Sequence, residues 1–324
     1  MMNALKTVVV ADFLEETSIE SACLEGVAKV VVAGVTNEKD LVPFLPEADG
    51  LILFHEIPSF GEIAFANAPR CKVLVRAGVG YNNVDLKAAN AHGVTVCNVP
   101  DYGTEEVADH AIMMLLASAR QLIHCNDAIR ANHWNYQSAK LTPRLRGKTL
   151  GLIGCGRIGS AMALRAKAFG LDVLFYDPHA CEGTDKALGI RRVYHLDELL
   201  AASHFVSLHC YLDAASHHLI NAETLAKMRP GAILINTARG GVVDQLALFD
   251  AVESGHIAAA ALDVLEREPL DDERLRNHPN IMFTPHSAFY SIEGFVELRT
   301  KTAQEVRRVL LGERARNCVN QAGK

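Results

Sequence analysis

The chain has 324 residues, 49% of them hydrophobic and 22% charged, a composition suited to a globular protein of about two domains. Its net charge of −6 supplies no basic field to attract phosphate backbones or anionic membranes, so neither nucleic acid nor a membrane is an expected partner. The eight cysteines form no Cys-x-x-Cys and read as reduced thiols; with no signal-peptide pattern and no apolar run of ~18 residues, the expected location is cytoplasmic.

From the start, β-rich runs alternate with helical ones: Thr7 to Ala11, Lys29 to Ala33, Gly50 to Phe54, Lys72 to Arg76 and Thr95 to Val99. Continuous apolar strands separated by helices predict a parallel sheet covered on both faces, here a flavodoxin-like sandwich of about 100 residues. Within it, Val73-Leu74-Val75-Arg76 runs into Ala77-Gly78-Val79-Gly80. Alternating glycines after a strand can present amides to an anion, and Arg76 would add charge. A plain turn with a surface arginine fits the same spacing.

At Thr104-Glu105-Glu106 a threonine cap and first-turn acids predict a long helix running towards Ala131, with Val107, Ala111, Met114, Leu115, Ala119 and Leu122 on its buried stripe. This is the expected domain boundary. A loop, His133 to Arg146, leads to a second α/β sandwich with strands at Arg192 to Tyr194, Phe205 to His209, Ala232 to Asn236, Ala258 to Val264 and Ile281 to Thr284. A final helix, about Ser291 to Leu311, offers Val296, Val306, Val309 and Leu310 for packing.

The second sandwich opens with the most informative stretch. Lys148 to Ile153 reads as a strand entering Gly154-Cys155-Gly156-Arg157-Ile158-Gly159 and a helix, and the next apolar run, Val173 to Tyr176, ends at Asp177. The first glycine permits the tight turn, the second lets backbone approach a pyrophosphate, and the third lets helix and strand pack closely. Asp177 falls roughly 20 residues on, where a carboxylate binds both ribose hydroxyls of NAD and repels the 2′-phosphate of NADP. The expected cofactor is therefore NAD.

In such sheets ligands bind beyond the carboxyl ends of strands. Three predicted strands end in chemistry: Thr237-Ala238-Arg239-Gly240-Gly241, Asp263 with Glu266-Arg267-Glu268-Pro269, and Pro285-His286-Ser287. Hydride transfer to a 2-keto acid needs a carboxylate clamp, a proton for the ketone oxygen and an aimed nicotinamide. Arg239 offers the planar fork, His286 the proton, and Glu268 a hydrogen bond that orients the imidazole. Asp263 suits the nicotinamide carboxamide. His55, His92, His217 and His218 show no ligand-like grouping, so no metal is expected.

With these residues assembled, the chain resembles the D-isomer-specific 2-hydroxyacid dehydrogenases along its whole length. Val75 to Gly80, Gly154 to Gly159, Asn236 to Asp244, Ala261 to Pro269 and Thr284 to Ser287 carry the likeness. Within that family it is most similar to the C-terminal-binding-protein branch, through Ala163 to Gly170, Val173 to Pro178, Thr237 to Val243 and Asn317 to Asn320.

The resemblance implies an NAD-binding Rossmann domain at 104–291 and a discontinuous substrate-binding lid domain at 1–103 plus 292–324. It implies Arg239, Glu268 and His286 as the catalytic set. Cofactor contacts would come from Thr104, Ile153, Gly154, Gly156, Arg157, Ile158, Gly159, Asp177, Cys210, Thr237, Ala238 and Asp263. Substrate contacts would come from Arg76, Val79, Gly80, Arg239, His286 and Phe289. A homodimer built through the cofactor domain is also implied.

Two departures bear on substrate. Phe289 stands where the branch carries a tryptophan, and Phe54-His55-Glu56 stands where phosphoglycerate dehydrogenases carry arginines, which argues against a phosphorylated substrate. The expected activity is interconversion of a small 2-keto acid and its D-2-hydroxy acid. The competing expectation is an NAD(H)-responsive, corepressor-like scaffold, with little room for further interaction motifs after Asn320.

Overall fold

A computed structural model describes residues 5–139 and 143–321. Residues 140–142 of the expected 133–146 loop lie outside the described residues. The chain divides into two compact units, 1–103 with 291–324 and 104–290. Ser291 thus falls in the first unit. No helix among the described residues is long and apolar enough to cross a membrane.

The first unit is built on strands β1 (Lys6–Val10), β2 (Ala28–Val32), β3 (Gly50–Leu53), β4 (Val73–Arg76) and β5 (Thr95–Asn98), all parallel. Their order β2-β1-β3-β4-β5 is that of a flavodoxin-like sheet, with its switch point between β1 and β3. All four residues of β3 are buried, as a strand covered on both faces requires. At the switch point, buried Asp12 accepts hydrogen bonds from the amides of Phe54 (2.6 Å) and Glu56 (2.7 Å), which fixes the turn after β3.

The closing helix, Ile292–Leu310, returns to this unit and is capped by Ser291, whose hydroxyl accepts from the Gly294 amide at 2.8 Å. Leu298, Thr302, Val306 and Leu310 recur every four residues and are buried. Val296 lies off that stripe and is 47% exposed, contrary to its expected packing role. Arg299 is held by Glu20 through two hydrogen bonds, at 2.8 and 2.6 Å, and by Glu16. The Glu16 hydrogen bond to Arg299 pulls that carboxyl down to about 2. Buried pairs of this kind fix a register, because removing one partner strands the other charge, typically at about 3–5 kcal/mol.

The second unit contains β6 (Thr149–Ile153), β7 (Asp172–Tyr176), β8 (Arg191–Arg192), β9 (Phe205–Leu208), β10 (Ala232–Asn236), β11 (Ile257–Leu262) and β12 (Ile281–Phe283). They form one parallel sheet in the order β12-β11-β10-β9-β6-β7-β8. This is a Rossmann sheet with an added edge strand, and its switch point lies between β6 and β9. One face packs Ala111, Met114 and Leu115 with Ala163 and Ala166 against Leu150 and Leu152. The other face packs Leu199, Leu225 and Leu248. The chain is α/β with two doubly wound parallel sheets.

The long helix expected from Thr104 towards Ala131 is two helices, Thr104–Ala119 and Leu122–Arg130. Gln121, in the left-handed region at φ 51°, breaks it. The break takes every later residue off the first helix's stripe. Leu122, expected to be buried, is accordingly 61% exposed.

Candidate active site

The glycine turn follows β6 at the switch point, and each glycine has a separate steric reason. Gly154 sits at φ 92°, where a Cβ would lie 2.6 Å from the His209 carbonyl oxygen. At Gly159 a Cβ would lie 2.3 Å from the Gly154 carbonyl oxygen, so helix and strand could not approach as they do. Gly156 is different: a Cβ there would meet no atom within 4 Å. Gly156 is also the N-cap of the helix Arg157–Ala168 and brings no side chain to cap it. The helix end presents amides and a partial positive charge to open space.

Asp177 follows β7 and accepts from the Cys155 amide through Oδ2 and the His179 amide through Oδ1, each at 2.8 Å. Each carboxylate oxygen keeps a lone pair for a further donor. Behind the turn, desolvation drives the His209 imidazole down to about 4, so the ring is neutral at pH 7. Thr237, just past β10, is buried with a hydroxyl that has no hydrogen-bond partner among the described residues. Uncapped amides, room over Gly156, a spare carboxylate and an orphaned hydroxyl are what a dinucleotide would satisfy. The residues fit the cofactor.

The remaining expected contacts surround this turn in the chain. Ile153 ends β6, and Arg157 and Ile158 open its helix. The Cys210 amide lies 2.7 Å from the position of a Gly154 Cβ. Thr104 begins the helix Thr104–Ala119, and the Ala238 amide donates to Asn236 Oδ1 at 3.0 Å.

Three adjacent strands, β10, β11 and β12, deliver Arg239, Glu268 and His286 just beyond their carboxyl ends. His286 Nδ1 lies 2.8 Å from Glu268 Oε2, and the Leu265 amide donates to Oε1 at 3.0 Å. Desolvation pushes the Glu268 carboxyl upward, but the His286 hydrogen bond and charge, the Leu265 amide and the charge of Arg239 outweigh it. The net shift is downward, so Glu268 is held as a carboxylate. The Arg239 guanidinium donates to the Ala238 carbonyl at 2.6 Å and is half-buried. Phe289 meets the His286 ring edge-on at 6.4 Å between centroids.

Asp263 has more to do than its position after β11 suggested. Its carboxylate accepts from the Thr284 hydroxyl (2.5 Å) and the amides of Ser287 (2.9 Å) and Ala288 (3.0 Å). Its carbonyl accepts from the His286 amide at 2.8 Å. Together these hold the turn on which His286 adopts φ 52°, a left-handed conformation unusual for a histidine. Thr284 gives its single proton to Asp263, so His110 Nε2, 2.9 Å from the threonine oxygen, is the donor there. Neither His110 nor Thr284 stood out in the sequence, because their partners are far away along the chain.

In the first unit, Arg76 donates to the Ala77 carbonyl at 2.8 Å and Asn98 to the Val79 carbonyl at 2.7 Å, which ties down the 76–80 turn. Among the four histidines set aside as metal ligands, His92 pairs with Glu62 at 3.0 Å. His55 lies against Phe13, with ring centroids 4.8 Å apart and planes tilted by 49°. His217 and His218 come together with Glu266, a grouping that their spacing did not reveal.

Fold and site define a dinucleotide-dependent α/β protein with an arginine, a carboxylate and an imidazole at neighbouring strand ends. Comparison with known proteins sharpens the class. Residues 112–288 match the model of the NAD-binding domain of the D-isomer-specific 2-hydroxyacid dehydrogenases. The chain is 39% identical over 319 residues to the D-3-phosphoglycerate dehydrogenase of Mycobacterium leprae, a match covering 98% of this chain and 60% of that longer protein. A glyoxylate reductase from Paecilomyes thermophila superposes with a TM-score of 0.89 at 27% identity, covering 98% of this chain and 99% of that one. The Aquifex aeolicus D-lactate dehydrogenase, solved with NAD and lactic acid, superposes at 0.85 with 30% identity, covering 94% and 96%. The chain belongs to the D-isomer-specific 2-hydroxyacid dehydrogenase family, and its second unit carries that family's NAD-binding domain.

Proposed function

We propose that this chain interconverts a small 2-keto acid and its D-2-hydroxy acid with NAD, and that Arg239, Glu268 and His286 do the work. The observation that carries the reading is the 2.8 Å His286–Glu268 pair, set one strand from Arg239 in the sheet that bears the uncapped glycine turn. NAD(H), when bound, supplies or takes the hydride. Glu268 holds Nδ1, which leaves Nε2 of His286 to give a proton to the ketone oxygen or take one from the hydroxyl. Arg239 binds the substrate carboxylate as a fixed, always charged fork. The 76–80 turn, with Arg76, Val79 and Gly80, is a second carboxylate-binding element in this proposal.

Asp177 is assigned to the adenosine ribose and sets the preference for NAD. The switch point of the first unit supports a substrate without phosphate. Phe13, Phe54, His55 and Phe295 group there, with Phe13 lying 5.4 Å from Phe54 and 5.9 Å from Phe295 between centroids. Such rings suit glyoxylate, hydroxypyruvate or a larger apolar 2-keto acid. The scaffold reading and the likeness to the C-terminal-binding-protein branch are secondary in this proposal, since a scaffold has no use for an intact Arg239, Glu268 and His286 set. We also assign a homodimer, with exposed Leu122 (61%), Ile123 (49%), Ile129 (47%), Trp134 (91%) and Tyr136 (88%) as the face a second copy would cover. Light scattering that gives a monomer mass would remove that assignment.

The test is NADH oxidation against glyoxylate, hydroxypyruvate, pyruvate, phenylpyruvate and phosphohydroxypyruvate, with an NADPH control and His286→Ala beside the unaltered chain. Turnover of a non-phosphorylated acid, reduced about 10²- to 10⁴-fold in the variant, is expected. Silence across the panel with NADH still bound would shift the reading to the scaffold.

A further inference from the structure

His217 and His218 follow β9, and Glu266 follows β11; one ligand atom from each lies within 4.8 Å of the others. The two imidazoles stack, with centroids 4.1 Å apart and planes 21° from parallel. His218 Nε2 is 2.5 Å from Glu266 Oε1, and the other carboxylate oxygen of Glu266 accepts from the Gln245 amide at 3.1 Å. The His218 amide donates to the Gly241 carbonyl at 2.9 Å, which fixes this residue at φ 50°. His217 is exposed, and its ring makes no hydrogen bond among the described residues.

We propose that His217, His218 and Glu266 form a site for a divalent transition-metal ion, zinc above all. Two neutral imidazoles and a carboxylate are a borderline-soft set that suits zinc rather than calcium or magnesium, which take oxygen ligands. Three protein ligands leave a fourth, tetrahedral position for water. Tetrahedral zinc with bonds of about 2.1 Å needs donors roughly 3.4 Å apart. The His218–Glu266 separation of 2.5 Å opens to that, and the wider ones, up to 4.8 Å, close to it, by rotation of side chains that reach solvent. Gln245 plays the part of an outer partner, holding the carboxylate in place for the ion.

The position gives the ion a consequence. Glu266 is two residues before Glu268, and Gly241, bound to the His218 amide, is two residues after Arg239. A metal at this point joins the segment after β9 to the one after β11 and so braces the strand-end turns that carry Arg239 and Glu268. It binds outside the proposed reacting set and takes no part in hydride transfer.

The experiment is calorimetric titration of zinc sulfate into the EDTA-stripped full chain, with cobalt(II) absorption as an optical readout and no turnover measured. One zinc per chain with Kd on the order of 1–10 µM is expected. His217→Ala and Glu266→Gln should each weaken it about tenfold or more and remove the visible cobalt bands. Both variants change exposed side chains, and their circular dichroism should match that of the parent. Absence of binding up to about 1 mM overturns the proposal. So does zinc binding that survives both substitutions, or that disappears instead in Cys181→Ser, whose thiol is exposed.

Discussion

Two turns in this chain share a recipe of parallel strand, alternating glycines and helix, yet their helix ends differ. After β4, Gly78 and Gly80 lead to the helix Leu86–Ala91, whose N-cap Asp85 accepts from the amides of Lys87 and Ala88. That helix end is already satisfied by its own carboxylate. After β6, the helix Arg157–Ala168 starts at Gly156 with no side-chain cap. Its amides are available to a ligand. The glycines differ as well: a Cβ on Gly78 would fall 1.7 Å from Arg76 Nη1, so this glycine makes room for a guanidinium, whereas Gly156 keeps open a space that no protein atom fills. Glycine spacing alone does not make a phosphate site. What matters is whether the helix behind the turn is capped.

The sharpest way to break the comparison is at Gly154 and Gly156. Gly154→Ala places a methyl 2.6 Å from the His209 carbonyl oxygen at φ 92°, and should lower unfolding free energy by about 4 kcal/mol in urea titration. Gly156→Ala should leave that curve unmoved while weakening NADH about tenfold by fluorescence titration, because its methyl enters only ligand space. Equal effects at the two positions would mean that the turn is structural throughout.

His209, which walls the turn, gives a pH test. Its imidazole is depressed from 6.5 to about 4 in the fold, so between those values the unfolded chain binds the extra proton. Stability contributed by the neutral ring is present above pH 6.5 and is lost as pH falls towards 4, by about 3 kcal/mol at most. In a His209→Gln variant that part of the slope should vanish. An unchanged slope would show that the ring does not titrate as placed.

Asp177→Ala should shift the ratio of NADH to NADPH affinity about tenfold towards NADPH, read from paired titrations. Asp85→Ala, the smallest effect, should cost about 1 kcal/mol of stability and leave NADH affinity as it was. Loss of NADH binding in that variant would erase the distinction between the two helix ends.

What the sequence revealed, and what it hid, follows from the range of the interactions. Apolar runs and the glycine turn are local patterns, so both sheets and the placing of Arg239, Glu268 and His286 after strands were legible. The break at Gln121 was not, because Arg120-Gln121-Leu122 contains neither glycine nor proline to mark a left-handed residue. His110, Thr284 and Asp263 meet only after the sheet has formed. The same holds for His217, His218 and Glu266, which needed the segments after β9 and β11 to meet across the end of β10.

The closing helix sets an order of events during synthesis on the ribosome. Val306 lies where a Cβ on Gly50 would be 3.2 Å from it, and the backbone of Cys318 pairs antiparallel with that of Cys97 on β5, both thiols remaining free. The first unit therefore waits for residues 291–319 before β3 and β4 gain the helix that packs on them. The second unit is contiguous in sequence and has all its parts sooner. The strands of residues 1–103 are made first and covered last, which makes the surface of β3 and β4 that awaits the closing helix the place where a chaperone or a stalled neighbour would meet the nascent chain.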